Sequence, residues 1–322
     1  MAVYYLNMRT FGRAGGSSAA SAAAYRAGES LRDARTGKMY DHSERRDVMH
    51  KEIVLPGKFA DAEMAWARDR SSLWGAAETA ETRKNARVAR EYLVALPVEL
   101  SPPERTLLVR GFSQELTDRY GFAVDFAIHA PRDFPGSDPR NFHAHLLATT
   151  REVTLEGLGS KTALDMNDGA RSELGLQPVI HELLHVRARW ATVTNDALER
   201  AHRAERIDHR SLEAQGIDRE PRPQIPRAAF EMERHGYRSA VADRIRDEYL
   251  VRVRERLERS AGRDSSLARG TQPAAGRSAN PGTLEDVRRA AREQWLRLRE
   301  EHDRADTTFS VPANRMRDDF ER

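Results

Sequence analysis

The chain has 322 residues, 39% hydrophobic and 32% charged, with 53 Lys+Arg against 50 Asp+Glu and no cysteine. The absence of cysteine excludes disulfides, thiolate catalysis and any Cys-ligated zinc or iron–sulfur centre, so a metal must rest on His, Asp or Glu. No run of about 18 apolar residues marks a membrane span and no charged start with an apolar block marks a secretion signal, so cytoplasmic residence is expected.

In chain order, Val3 to Met8 reads as a short strand. "GGSSAASAAAYRAGESLRDA" reads as a helix entered through Gly and Ser, with Ser17 or Ser18 as the N-cap. Six basic residues (Arg9, Arg13, Arg26, Arg32, Arg35, Lys38) against Glu29 and Asp33 make these first forty residues locally positive. Such a field suits a polyanion. "HKEIVLP" is strand-like. Ala60 to Arg90 is rich in alanine and charge and reads as one or two helices. "REYLVALP" is a strand ending at Pro97. "SPPERTLLVRGFSQELTDRYG" is a helix capped by Ser101, with prolines in its first turn and a stop at Gly121. "FAVDFAIHAP" alternates with period two, "DFPGSDPRN" is a loop, and "FHAHLLATTREVT" is the next strand, so the two strands predict an antiparallel hairpin. After Gly157 the pattern turns helical, with a long amphipathic stretch over Leu183–Arg206 and a charged helix over Ala228–Ala261. "GRDSSLARGTQPAAGRSANPGT" has linker composition, and Leu284–Asp306 reads as a final charged helix. The compact domain is therefore expected over residues 1–226. Residues 227–322 form a charged helical extension with a linker at about 262–283.

The hairpin carries the first chemistry. Side chains two apart in a strand share a face, so His143 and His145 point the same way, roughly 7 Å apart along the backbone. His129 ends the preceding strand, where a hairpin sets it beside them. Three imidazoles with open positions form a catalytic type of metal site; an ordinary half-buried histidine pair is the plainer alternative. Asp125 shares the His129 face by parity and reads either as an orienting carboxylate or as a simply exposed one. Tyr25 lies on an alanine-rich helix beside Arg26, where small neighbours leave its ring accessible. A tyrosine attacks phosphorus when a metal polarises the phosphate and a base takes the phenolic proton; packing is the plainer role. A second motif, His181-Glu182-x-x-His185, matches the zinc-protease helix, but Ala188 and Ala191 fill the places of an extended third-ligand motif.

These pieces together resemble the MobA/MobL family of conjugative relaxases, the MobQ type of HUH endonucleases, from about Ala2 to Pro226. "SSAASAAAYRAGE" is similar to its tyrosine motif and "IHAPRD…NFHAHLLATTR" to its three-histidine motif. "YDHSERRDVMHKEIVLP", "LWGAAETAETRKNARVAREYLVALP", "GLGSKT", "LLHVRARWATVTNDAL" and "DHRSLEAQGIDREP" resemble segments in the same order. The resemblance implies an α+β fold, a central antiparallel sheet carrying the histidines and flanked by helices. It implies a plasmid-mobilisation relaxase that nicks and rejoins one strand at the origin of transfer. Tyr25 would form a 5′-phosphotyrosyl link, and His129, His143 and His145 would hold Mg²⁺ or Mn²⁺. Glu91 would support the metal site, with Glu78 and Glu81 as competitors. Arg9, Arg13 and Arg26, with Arg151 after the histidine strand, are the candidate DNA-binding residues. The implied partners are single-stranded origin-of-transfer DNA, accessory mobilisation proteins and a type IV coupling protein, and the chain would travel with the DNA. The alternatives are an HUH replication initiator or transposase-like nickase, which usually places its tyrosine after the histidines, and a zinc metalloprotease.

Overall fold

The computed structural model describes residues 2–131 and 138–268. Contacts divide the chain into two units, residues 1–209 and residue 210 onward. The first unit contains β1 (Leu6–Gly12), α1 (Ala19–Ala27), β2 (Ser30–Arg32), β3 (Met39–Asp41), β4 (Val48–Val54), α2 (Ala65–Arg68), α3 (Arg70–Thr79) and β5 (Arg87–Ala95). It continues with α4 (Pro102–Tyr120), β6 (Val124–His129), β7 (His143–Ala148), β8 (Arg151–Val153), β9 (Leu158–Lys161), α5 (Asp168–Glu173) and α6 (Val179–Arg200). The second holds α7 (Arg227–Arg234) and α8 (Ala240–Ala268).

The central sheet runs β1-β5-β7-β6-β4, with all its pairs antiparallel. This is the expected α+β architecture. One face carries Tyr92, Val94, Phe126, Ile128, Ala144 and Leu146, which pack in one apolar cluster with α4 and α6. There the Phe112 and Trp190 rings lie 5.0 Å apart. The other face is covered over part of its width. The alanines of α1, with Leu73, Trp74 and Ala77 of α3, bury Ala89, Ala123 and Leu147. Alanine lets a helix lie close to a sheet, so the α1 backbone can approach the strands.

Local rules account for the element ends. Ser18 caps α1, its hydroxyl accepting from the Ser21 amide, and Gly28 ends it in the left-handed conformation at φ +59°. α4 begins with the Ser101–Glu104 capping box and ends at Gly121, also left-handed. Trp74 Nε1 and the Arg70 guanidinium both donate to Asp125, which is buried away from the histidines and is not an exposed carboxylate.

Several expectations shift. The first strand is Leu6–Gly12, later than Val3–Met8. "ESLRDA" does not continue α1, because Gly28 stops it and β2 follows. The helical reading of Ala60–Arg90 overshoots: α3 ends at Thr79 and β5 starts at Arg87. The strand read from Arg90 therefore begins three residues earlier, at Arg87. Arg90 and Glu91 are buried there because each meets a distant partner, Asp165 and Arg26. The stretch after Gly157 first forms β9, paired with β8. The single helix expected over Ala228–Ala261 is two, separated where Gly236 adopts φ +81°. α8 runs to Ala268, into the stretch of linker composition; the rest of that stretch and the helix expected over Leu284–Asp306 lie outside the described residues, as do 132–137 of the hairpin loop.

Candidate metal and nucleophile site

The β6/β7 hairpin sets His129 directly opposite His143, and β7 carries His145 two residues on. The period-two pleat gives all three rings one face. Their ring centroids lie 5.3, 4.8 and 5.2 Å apart, and one nitrogen from each falls within 4.8 Å of the others. Among the described residues, no other group of three such side chains converges in this way.

Hydrogen-bond partners define the tautomers. His145 Nδ1–H donates to Glu91 Oε1 at 2.7 Å, and His143 Nδ1–H donates to the Asn141 carbonyl at 3.0 Å. In both rings Nε2 is then the nitrogen with the lone pair, and a carboxylate behind the imidazole raises its basicity as a ligand. His129 Nε2–H donates to the Arg26 carbonyl at 2.8 Å, while its Nδ1 accepts from Arg45 Nη2 at 3.2 Å. Burial is the largest cause holding His129 down to about 3, with the neighbouring His145 and Arg45 acting in the same direction. Burial likewise lowers His145, against the opposing pull of Glu91. Both imidazoles are therefore neutral near pH 7, the state in which imidazole binds a cation.

Glu91 is fully buried, and Arg9 and Arg26 both pair with it. Burial alone would raise its carboxyl. The His145 hydrogen bond and the Arg26 charge outweigh that and hold it far below the usual carboxylate range. Of the three acids considered from sequence, Glu91 alone meets a histidine of the triad. Glu78 pairs with Arg13 and accepts from the Ala19 amide at the start of α1, and Glu81 pairs with Arg151 and Lys161. The four candidate DNA-binding arginines thus all carry internal ion pairs. Arg26 is buried, whereas the Arg9 side chain keeps 53% of its surface exposed.

Tyr25 stands at the last turn of α1 and is 37% exposed. A helix C-terminus leaves carbonyls unsatisfied, with partial negative charge. Here three consecutive ones accept from the sheet side: Tyr25 from Arg45 Nη1 at 2.6 Å, Arg26 from His129, and Ala27 from Lys51 Nζ at 3.0 Å. The Arg45 guanidinium also lies 4.1 Å from the centre of the Tyr25 ring and pairs with Asp47, and the His42 ring meets Tyr25 edge-on at 5.3 Å. Arg45 therefore touches both Tyr25 and His129. In "YDHSERRD" the sequence by itself gives Arg45, Asp47 and His42 no chemistry; three basic and three acidic residues within eight positions are the only signal there.

The His-Glu-x-x-His motif gathers nothing. Glu182 accepts from Tyr120 Oη and pairs with Arg119, while His181 and His185 are exposed on the first turns of α6. This segment is a surface helix docked by its glutamate.

Residues 17–235 match the MobA/MobL family. Mobilization protein MobL of Acidithiobacillus ferridurans is 33% identical over 279 residues, covering 81% of this chain and 70% of the relative. The 43 kDa relaxation protein of Salmonella typhimurium is 36% identical over 235 residues, 68% of this chain and 57% of that protein. Other curated relatives are longer, and the chain spans 21% to 45% of their length. A solved structure described as "Molecular Basis of Vancomycin Resistance Transfer in Staphylococcus aureus" superposes with a TM-score of 0.52 at 27% identity, covering 65% of this chain and all of the other.

Proposed function

This chain belongs to the MobA/MobL family, and we propose that the open end of its sheet is where it nicks and rejoins one DNA strand as a plasmid-mobilisation relaxase. The observation that carries the reading is the joining of two features: a three-histidine cluster, and an exposed tyrosine whose helix end is latched to it through Arg45 and the Arg26 carbonyl.

The residues present fit a divalent cation. His143 and His145 would offer Nε2 from tautomers fixed by Asn141 and Glu91, and His129 would complete the set of three by releasing its Nδ1 lone pair from Arg45. Mg²⁺ or Mn²⁺, when bound, would neutralise phosphate oxygens and the developing charge on the leaving 3′-oxygen. Tyr25 Oη attacks phosphorus, the P–O3′ bond breaks, and a 5′-phosphotyrosyl ester forms. The phenolic proton passes to solvent, solvent returns a proton to the leaving 3′-oxygen, and the strand departs with a free 3′-OH. Rejoining is the reverse, with the 3′-OH attacking the phosphotyrosine. Arg9, half-exposed beside Glu91, contacts a flanking phosphate. Arg26, Arg13 and Arg151 hold the scaffold around it. Origin-of-transfer DNA in single-stranded form is the substrate. Accessory mobilisation proteins and a type IV coupling protein are the partners in the bacterial cytoplasm, and the chain leaves with the strand it carries.

The test is a covalent adduct on a denaturing gel, with supercoiled plasmid carrying the cognate origin as substrate. Wild type is expected to form the adduct only with a divalent cation. Tyr25→Phe is expected to bind the same DNA and form none. An adduct from Tyr25→Phe would move the nucleophile to another tyrosine such as Tyr4, Tyr5 or Tyr40.

A further inference from the structure

The sheet face that bears the histidines is only partly covered. α1 and α3 bury the row containing Leu147, whereas the neighbouring rows, buried at His129 and His145, open toward β5, where Leu93 and Ala95 are only half-buried. Strand register carries those rows outward to β1. Ala95 pairs with His143, and its amide donates to the Tyr5 carbonyl; Leu93 pairs with both His145 and Asn7. Cross-strand partners share a face. Tyr5 is therefore in the row of His143 with only a small alanine between them, about 10 Å away by two interstrand spacings. Asn7 is in the row of His145, and Arg9 follows beside Glu91.

β1 is an edge strand of the sheet. Its neighbours on the opposite face are taken up by the fold: Leu6 is buried and Tyr4 Oη donates to the Arg187 carbonyl. On the open face Tyr5 is 41% exposed and Asn7 is exposed, their polar ends 3.4 Å apart. An exposed aromatic, an amide and a cation in one stripe, over a floor of Ala95 and Leu93, is the combination that receives an unpaired nucleotide. The ring stacks a base, the amide reads its edge and the guanidinium holds phosphate.

We propose that Tyr5 and Asn7 form a base-binding subsite for single-stranded DNA next to the phosphate bound at the histidines, with Tyr5 as its stacking platform. The proposal rests on the relaxase reading. It adds that β1, remote in sequence from the histidine motif, helps determine which nucleotide is accepted beside the cut.

The experiment measures fluorescence anisotropy of a labelled oligothymidylate, intact or with a single abasic residue stepped along it, against the full chain. Tyr5→Ala is expected to weaken binding about ten-fold, within the range of one lost base stack, and Tyr5→Trp to restore it. At the abasic position that weakens wild type most, Tyr5→Ala is expected to show no further loss. Asn7→Ala is expected to alter the base recovered at one position when a random single-stranded pool is selected on the protein. Equal affinity and equal abasic profiles for wild type and Tyr5→Ala would overturn the subsite. Wild type that bound no single-stranded DNA at all would instead overturn the relaxase reading beneath it.

Discussion

Glu91 has to satisfy Arg9, Arg26 and His145 at once from a fully buried position. Its removal leaves Arg26 buried and uncompensated, so Glu91→Ala is expected to cost about 3–5 kcal/mol in chemical denaturation. Metal binding separates the two histidine motifs. By calorimetric titration with Mn²⁺, His143→Ala and His145→Ala are each expected to lose binding, and His181→Ala and His185→Ala to keep it. The reverse pattern would restore the zinc-protease reading. The histidines were legible in the sequence because a pleat repeats every two residues whatever the tertiary context. Arg45 was not, because its partners Tyr25 and His129 lie 20 and 84 positions away.

At the scale of elements, α1 carries Tyr25, the proposed nucleophile, and both its ends are tied down by local contacts. At the C-terminus, a Cβ on Gly28 would meet Val48 Cγ2 at 3.1 Å and Arg45 Cβ at 3.4 Å, in a left-handed backbone. Gly28→Ala is therefore expected to cost about 1–2 kcal/mol from backbone strain alone. It should also slow adduct formation, because Val48 must give way beside Arg45, the residue that holds Tyr25. A normal cleavage rate in a destabilised Gly28→Ala protein would show that the packing at this end of α1 does not position Tyr25. At the N-terminus, Ser18 donates to Asp33, which also accepts from the Arg35 and Thr36 amides. Burial would raise the Asp33 carboxyl, but the Thr36 amide, the Ser18 hydroxyl and the Arg35 amide together hold it below its ordinary 3.8. A carboxyl depressed in the folded state contributes stability that is fully present above its unfolded value and is lost as pH falls through its folded value. Thermal melts of wild type should drop as pH falls below about 3.8, and Asp33→Asn should be less stable at neutral pH with a shallower acid limb. Parallel acid limbs would assign that loss to other carboxylates. The caps of α1 and α4 were legible because they depend on neighbours three or four residues away. β5 is legible from Arg90 onward, and only its first residues, Arg87–Ala89, read as part of the preceding helix.

Across the whole molecule, both apolar clusters and the histidine triad belong to residues 1–209. The second unit has its own ion pairs, Arg246 with Glu233 and Arg252 with Glu220. Among the described residues, no helix is long and apolar enough to cross a membrane. We take residues 1–226 as the catalytic domain. A chain ending at Pro226 is then expected to unfold cooperatively and still form the Tyr25 adduct on an origin oligonucleotide, while plasmid mobilisation in cells falls. A soluble, folded truncation without cleavage would place a catalytic contribution in the extension.

What the sequence determined by itself is what short-range geometry dictates: a shared face for His143 and His145, the Ser18 and Ser101 caps, and a tyrosine on a helix of small residues. Its resemblance to a family added the pairing of that tyrosine with the histidines. Tertiary structure alone decided which acid stands behind His145, which cation spans Tyr25 and His129, and that Tyr5 lies in the row of His143. Each of these depends on strand register and on burial by distant segments. A hydrophobic pattern specifies which face of a strand turns inward, but it does not name the residue that will lie across from it.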